Sequence, residues 1–150
     1  MPWKFQTDWV AVTLPDDWTD NSSADANSFI NKATLEELTV GTWTIDVPMD
    51  LAKLATATNR MLEVRAKALV KISGGQVDIL DASESTAQSP CVVRFTAFCK
   101  NAQAFCNAIV VGYPTYLVDI TYYRYGCAEP TPVVAERAMD IVARIAVKER

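Results

Sequence analysis

Two pairs of adjacent carboxylates, Asp16-Asp17 and Glu36-Glu37, are the first residues whose type and spacing could do chemistry. Two carboxyls sharing one site can divide the work of general acid and general base, because like charges hold one of them protonated. Neighbours on a strand, however, point to opposite faces, and neighbours in a turn or cap serve the backbone. The 150 residues include no histidine. That excludes Ser-His-Asp and Cys-His catalysis, histidine-ligated metals and imidazole pH switching. Cys91, Cys99, Cys106 and Cys127 form no Cys-x-x-Cys pair, and the interval from Cys99 to Cys106 is not a zinc-knuckle spacing. They read as small buried hydrophobes carrying free thiols. There is no Gly-x-Gly-x-x-Gly, no Walker-type loop and no Gly-x-Ser-x-Gly. Ser73-Gly74-Gly75 stands where a helix ends, the wrong end for phosphate. The reading is of a non-enzyme with no catalytic residue, no metal and no cofactor.

Charge and composition narrow the partners. A net charge of −4 and a pI near 4.8 argue against nucleic acid, whose backbone needs a basic face. Half the residues are apolar and 21% are charged, enough to fill a core and exclude global disorder. The opening Met-Pro-Trp-Lys-Phe-Gln-Thr-Asp is polar, with no apolar stretch of a signal peptide. The run from Ala104 to Val118 is interrupted by Asn107, Gly112 and Pro114 and is too short to span a bilayer. The expectation is a cytoplasmic protein that does not bind membranes. Without repeats or low-complexity linkers, residues 1–150 read as one domain.

The elements that must position any site follow from periodicity. Trp9 to Thr13 is β-prone, Leu14 to Trp18 is a turn, residues 20–27 are polar and turn-like, Ser28-Phe29-Ile30 is a short edge strand, and Leu38 to Val47 alternates as a longer one. The period then changes. Asp50 is placed to cap a helix that runs to Ser73, with Leu51, Leu54, Ala55, Met61, Leu62, Ala68, Leu69 and Ile72 on one apolar face. Lys53, Arg60, Lys67 and Lys71 lie on the opposite face, and Gly74-Gly75 ends the helix. Four strands follow: Gln76–Ala82, Cys91–Lys100, Phe105–Gly112 and Tyr116–Tyr125. Thr131 and Pro132 open a last helix, with Val134, Ala138, Ile141, Val142 and Ile145 inside and Arg137, Asp140, Arg144 and Lys148 outside. The fold class is α+β: an antiparallel meander with a long central helix and a C-terminal helix packed on it.

A register can be predicted as well. Pairing Cys99 with Cys106 also pairs Ala97 with Ala108, Phe95 with Val110 and Val93 with Gly112. A three-residue turn at 113–115 then pairs Val110 with Val118, Ala108 with Ile120 and Cys106 with Tyr122. Every residue on that face is apolar or small. The opposite face, which includes Phe98, Ile109, Val111 and Tyr123, is mixed.

Val12-Thr13-Leu14-Pro15-Asp16-Asp17-Trp18-Thr19-Asp20, and the late strand Thr121-Tyr122-Tyr123-Arg124-Tyr125-Gly126 leading into the final helix, resemble the PsbP/DcrB-like superfamily. The resemblance covers most of the chain in layout. The polar 21–27 stretch and the Cys99/Cys106 hairpin are not family marks. It implies a small binding protein without catalysis, since members include photosystem accessory subunits, a GTPase-release factor and chaperones of type VI secretion effectors.

The functional expectation is therefore a protein whose partner is another protein. The leading form is an immunity protein that covers the site of a cognate bacterial toxin, an acidic surface meeting a basic cleft. Asp16, Asp17 and Asp20 in the opening turn, and Glu36 and Glu37 before the third strand, are its candidate contacts. The alternative is a secretion chaperone gripping effector helices through Phe98, Ile109, Val111 and Tyr123 on the mixed face. A small accessory binding module is a third form. Tyr and Trp are favoured interface anchors, and Tyr123 and Trp3 are the ones expected exposed.

Overall fold

The structure is a computed structural model that describes residues 3–24 and 27–148, with the side chain of Trp3 outside that set. In chain order the elements are β1 (Trp3–Gln6), β2 (Val10–Leu14), β3 (Thr19–Asp20), β4 (Asn27–Asn31), β5 (Glu36–Thr44), α1 (Leu51–Ile72), β6 (Val77–Ser85), β7 (Cys91–Cys99), β8 (Ala104–Tyr113), β9 (Tyr116–Arg124), α2 (Pro132–Val142) and β10 (Ile145–Val147). Seven strands form one antiparallel sheet in the order β3-β4-β5-β9-β8-β7-β6. The remaining three form a small sheet, β1-β2-β10. The fold is α+β with helices on an antiparallel meander, as the periodicity predicts.

Both helices begin as their caps dictate. Asp50 accepts from the Lys53 N–H at 2.9 Å, and Thr131 accepts from the Val134 N–H with Pro132 at the first helical position. At the predicted turn the Trp18 N–H donates to the Pro15 carbonyl at 3.2 Å. Of the polar 20–27 stretch, residues 25 and 26 lie outside the described set.

The register differs from the prediction in two ways, one harmless and one not. The β7–β8 loop has four residues, Lys100–Gln103, closed by Gln103 in the left-handed region (φ 50°). Cys99 therefore faces Ala104, and Ala97 faces Cys106 rather than Ala108. A slip of two residues keeps every side chain on its face. The β8–β9 turn has two residues, Pro114-Thr115, not three, so Tyr113 faces Tyr116 and Val110 faces Asp119. That single-residue difference turns β9 over. Tyr116, Val118, Ile120 and Tyr122 join the face of Phe105 and Ile109, while Leu117, Asp119, Thr121 and Tyr123 join that of Cys106 and Ala108.

The two faces are covered differently. On one, Val10, Val12 and Leu14 of β2 with Ala138 and Ile141 of α2 bury Phe29, Leu38, Val40, Val118, Ile120 and Tyr122. On the other, α1 sets Leu69 over Phe95, Ala97, Cys106 and Ala108, and Leu54 against Cys91 and Leu117. The helix approaches the sheet most closely at Gly112, where a Cβ would collide with the Thr58 hydroxyl and meet Leu54 and Leu117 at 3.0 Å. Leu51 and Ile72, placed on the apolar face by periodicity, are exposed at the helix ends, 41% and 67%. Arg137, Arg144 and Lys148 do not form a wet side: all three are half-buried. The Lys148 ammonium donates to the Thr7 carbonyl at 2.6 Å, tying the end of the chain to its beginning.

Two quarters of the large sheet stay uncovered, diagonally across from each other. One lies on the α1 side over β4 and β5. The other lies on the α2 side over β6 and β7. The four cysteines are buried free thiols.

Candidate functional site

The open quarter beside α1 is built by alternation. Residues 37, 39, 41 and 43 of β5 point to the α1 side and meet residues 123, 121, 119 and 117 of β9 as direct cross-strand partners. The floor is thus four pairs: Glu37 with Tyr123, Thr39 with Thr121, Gly41 with Asp119, and Trp43 with Leu117. Trp43 is half exposed (51%). Just beyond β9, the Tyr125 ring stacks on Tyr123 at 5.8 Å between centroids, and its hydroxyl donates to Glu37 Oε1 at 3.2 Å. Ile30 and Ser28 of β4 continue the surface outward.

Its wall is α1, fixed by one charged pair. Arg65 reaches across to Asp119, its Nε donating to Oδ1 at 3.0 Å and its Nη2 to Oδ2. Asp119 is 1% exposed, so this bidentate pair replaces its lost hydration. Burial draws the Arg65 pKa down, but the hydrogen bond and charge of Asp119 outweigh that and hold it above the ordinary arginine value. A Cβ on Gly41 would lie 3.0 Å from Asp119 Oδ2, so glycine leaves room for the carboxylate.

Burial pushes the Tyr123 and Tyr125 phenols well above their ordinary range, so both remain protonated hydrogen-bonding groups. Burial, reinforced by Cys99, likewise raises the Cys106 thiol beneath them, the opposite of what a nucleophilic cysteine needs. No group of three or more Cys, Asp or Glu able to hold a metal ion occurs among the described residues. No helix among them is long and apolar enough to cross a membrane.

Of the residues singled out from sequence, the structure brings Glu37 and Tyr123 together as cross-strand partners. It separates the rest. Glu36 does not stand before a strand: it begins β5, 2% exposed, on the opposite face. There it accepts from Arg137, Tyr122 and Thr34. Burial pushes its carboxyl up, but those hydrogen bonds and the Arg137 charge outweigh burial and hold it below the ordinary glutamate range. Glu36 therefore clamps α2 to the sheet and cannot reach a partner. Asp16, Asp17 and Asp20 are exposed, with Asp17 accepting from the Asn31 amide at 3.0 Å and Asp20 from the Ser22 N–H at 2.9 Å. Phe98 is buried in the α2-side core, and Ile109 packs against it. Val111 is half-buried on that same face. Tyr123 lies on the other face, so these four do not form the single surface expected of them.

Arg65, Asp119 and Gly41 escaped the sequence reading. The signal for two of them was present. Arg65 falls on the stripe of Leu54, Thr58, Leu62 and Leu69 that faces the sheet, and Asp119 interrupts the apolar run Leu117 to Ile120. Opposite charges each set in an apolar run imply one buried pair.

No family model matches the sequence, and no curated protein matches it. Solved structures do match in fold. The solution structure of cyanobacterial PsbP (CyanoP) from Synechocystis sp. PCC 6803 superposes with a TM-score of 0.64 at 15% identity, over 99% of this chain and 92% of that one. A crystal structure from Bacteroides thetaiotaomicron VPI-5482 gives 0.55 at 11% identity, over 98% of this chain and 48% of that one. The fold is PsbP-like, as the opening and late-strand residues resemble.

Proposed function

We propose that this chain is a non-catalytic protein-binding protein whose docking face is the open quarter beside α1. The observation that carries the reading is that β5 stays open on this side, with Trp43 half exposed and Glu37 and Thr39 part-exposed, while their β9 partners Leu117 and Thr121 are buried beside α1. Tyr and Trp supply rigid contact area with polar tips, and hydroxyls and glycine between them supply adaptable hydrogen bonding, the composition of a paratope. The specific form proposed is neutralisation of a cognate toxin by covering its active site. It is supported by the net charge of −4 and by Glu37 on the floor itself; the exposed Asp17 and Asp20 lie at the β3 edge toward the opposite face, Asp20 facing Phe29 and Asp17 bound by Asn31. Opposed potentials speed the encounter with a basic cleft and weaken with salt.

The test is survival. Cells expressing the gene encoded beside this protein are scored for growth with and without it, and rescue from toxicity is expected. Equal survival without the protein, or a requirement for it only in export, would replace immunity with the secretion-chaperone role.

A further inference from the structure

A second surface lies along α1 itself, at the edge of the open quarter. A groove of about 660 Å³ runs between the helix and β9, with Leu117 at its base and Ala57, Met61 and Val64 along its helical wall. Lys53 and Arg60 stand on its rim. Both are exposed, as is Lys67, and none of the three has a side-chain hydrogen bond or ion pair among the described residues.

The spacing along α1 is that of a heptad. Leu54, Met61 and Ala68 recur every seven residues, with Leu54 already seated on the sheet at 1% exposure; Ala57 and Val64 fall between them, and Lys71 closes the seam at the next position of that row. In heptad lettering these are the a and d positions, and Lys53, Arg60 and Lys67 are three successive g positions. They stand about 10.5 Å apart along the axis. Charges flanking an a/d seam choose the partner helix. Charge is also unevenly placed in this chain. The helix carries five cations and one acid, a net +4, so the other residues together hold −8.

From this we infer that the α1 groove is a docking site for an acidic amphipathic helix of a partner protein, one with Asp or Glu at seven-residue intervals beside an apolar stripe. The three unpaired cations meet the acids, and the apolar stripe covers Met61, Val64 and Leu117. The concavity favours a helix over a lipid surface. Leu117 is 5% exposed at the base of the groove, where a narrow helix ridge can reach it and a flat bilayer cannot. The groove adjoins the open quarter, sharing Leu117 of the Trp43–Leu117 pair at its edge, and its use does not depend on the partner being a toxin.

The test uses the full chain and two labelled 21-residue helical peptides with leucine at a and d, one with Glu and one with Lys at the flanking positions, followed by fluorescence anisotropy. The Glu peptide should bind at least about tenfold more tightly than the Lys peptide, and should weaken as salt is raised. A chain carrying Lys53→Glu, Arg60→Glu and Lys67→Glu, all surface changes checked for helix content by circular dichroism, should reverse the preference. Equal binding of both peptides, no binding of the Glu peptide, or an unchanged preference in the triple variant would overturn the proposal. So would binding of phosphatidylglycerol vesicles in place of the Glu peptide, which would make the groove a membrane surface. Tyr125→Ala, at the end of the open quarter far from Leu117, should leave peptide binding unchanged, so failure here and failure of the open-quarter reading are distinguishable.

Discussion

The two uncovered quarters of the large sheet present different chemistry although they belong to one sheet. The quarter beside α1 offers Glu37, Thr39, Trp43, Tyr123 and Tyr125, aromatic, hydroxyl and carboxylate groups, with the Tyr125 hydroxyl bonded to Glu37. The diagonal quarter offers Val92, Arg94, Thr96, Ile109 and Val111, short and half-buried, and Arg94 there is engaged by the Ser83 hydroxyl at 2.8 Å. It ends at β6, an edge strand that is exposed almost throughout and carries Asp78, Asp81 and Glu84. Acidic residues and the bulge between Ile79 and Asp81 blunt such an edge against pairing. On the proposed reading, the first quarter holds a partner and the second refuses one. What divides them is the covering on the reverse sides, α2 with the small sheet for the first and α1 for the second.

Removing a covering is the strongest way to break that division. Glu36→Ala leaves Arg137 half-buried without its partner and strips Tyr122 and Thr34 of theirs. It is expected to cost about 3–5 kcal/mol in chemical denaturation. Wild-type stability should carry the matching acid signature. The Glu36 carboxyl sits below its ordinary range, so its contribution is complete above the unfolded glutamate pKa and is lost as pH falls through the folded value. Glu36→Ala should flatten that acid limb, and an unchanged limb would remove Glu36 from the clamp.

On the α1 side, Leu69 is 1% exposed. Leu69→Ala is expected to cost about 2–5 kcal/mol through lost burial and the cavity left behind. Lys67→Ala, two residues earlier but facing water, should cost within about 0.5 kcal/mol. Equal midpoints for the two would mean that the helix faces are reversed. Gly112→Ala drives a methyl against Thr58 and should cost about 1–3 kcal/mol by lifting α1 from the sheet. A midpoint unchanged from wild type would show that the contact there is loose.

How much of this was legible in the sequence depends on whether one face or two are buried. Helix α1, wet on one side, was readable from its cap at Asp50 to its end at Ser73. Strand β9 was readable in its extent but not in its facing, because seven of its nine residues are buried and both faces carry core. Alternation then says nothing about which side is which, and a uniformly apolar face selected the wrong turn length between β8 and β9. Asp119 could join the α1 face only because Arg65, 54 residues earlier, meets it there. A distant partner of that kind leaves no local pattern. The small sheet was missed for a related reason, since β10 is three residues long and is held by pairing with β2 rather than by its own periodicity. At the site, Glu37 and Tyr123 were both named from sequence, but their being neighbours follows from the β5–β9 pairing, which spans the whole of α1 and the meander.

The central claim is that the partner docks on the quarter beside α1, and the affinity of the cognate partner for two surface variants tests it most directly. Trp43→Asp alters a half-exposed ring in the proposed face, and Thr96→Lys alters the diagonal quarter. By titration calorimetry, Trp43→Asp should weaken binding at least about tenfold, or about 1.4 kcal/mol, with Thr96→Lys unchanged. Full affinity in Trp43→Asp together with loss in Thr96→Lys would contradict the account and place the partner on the other side of the sheet.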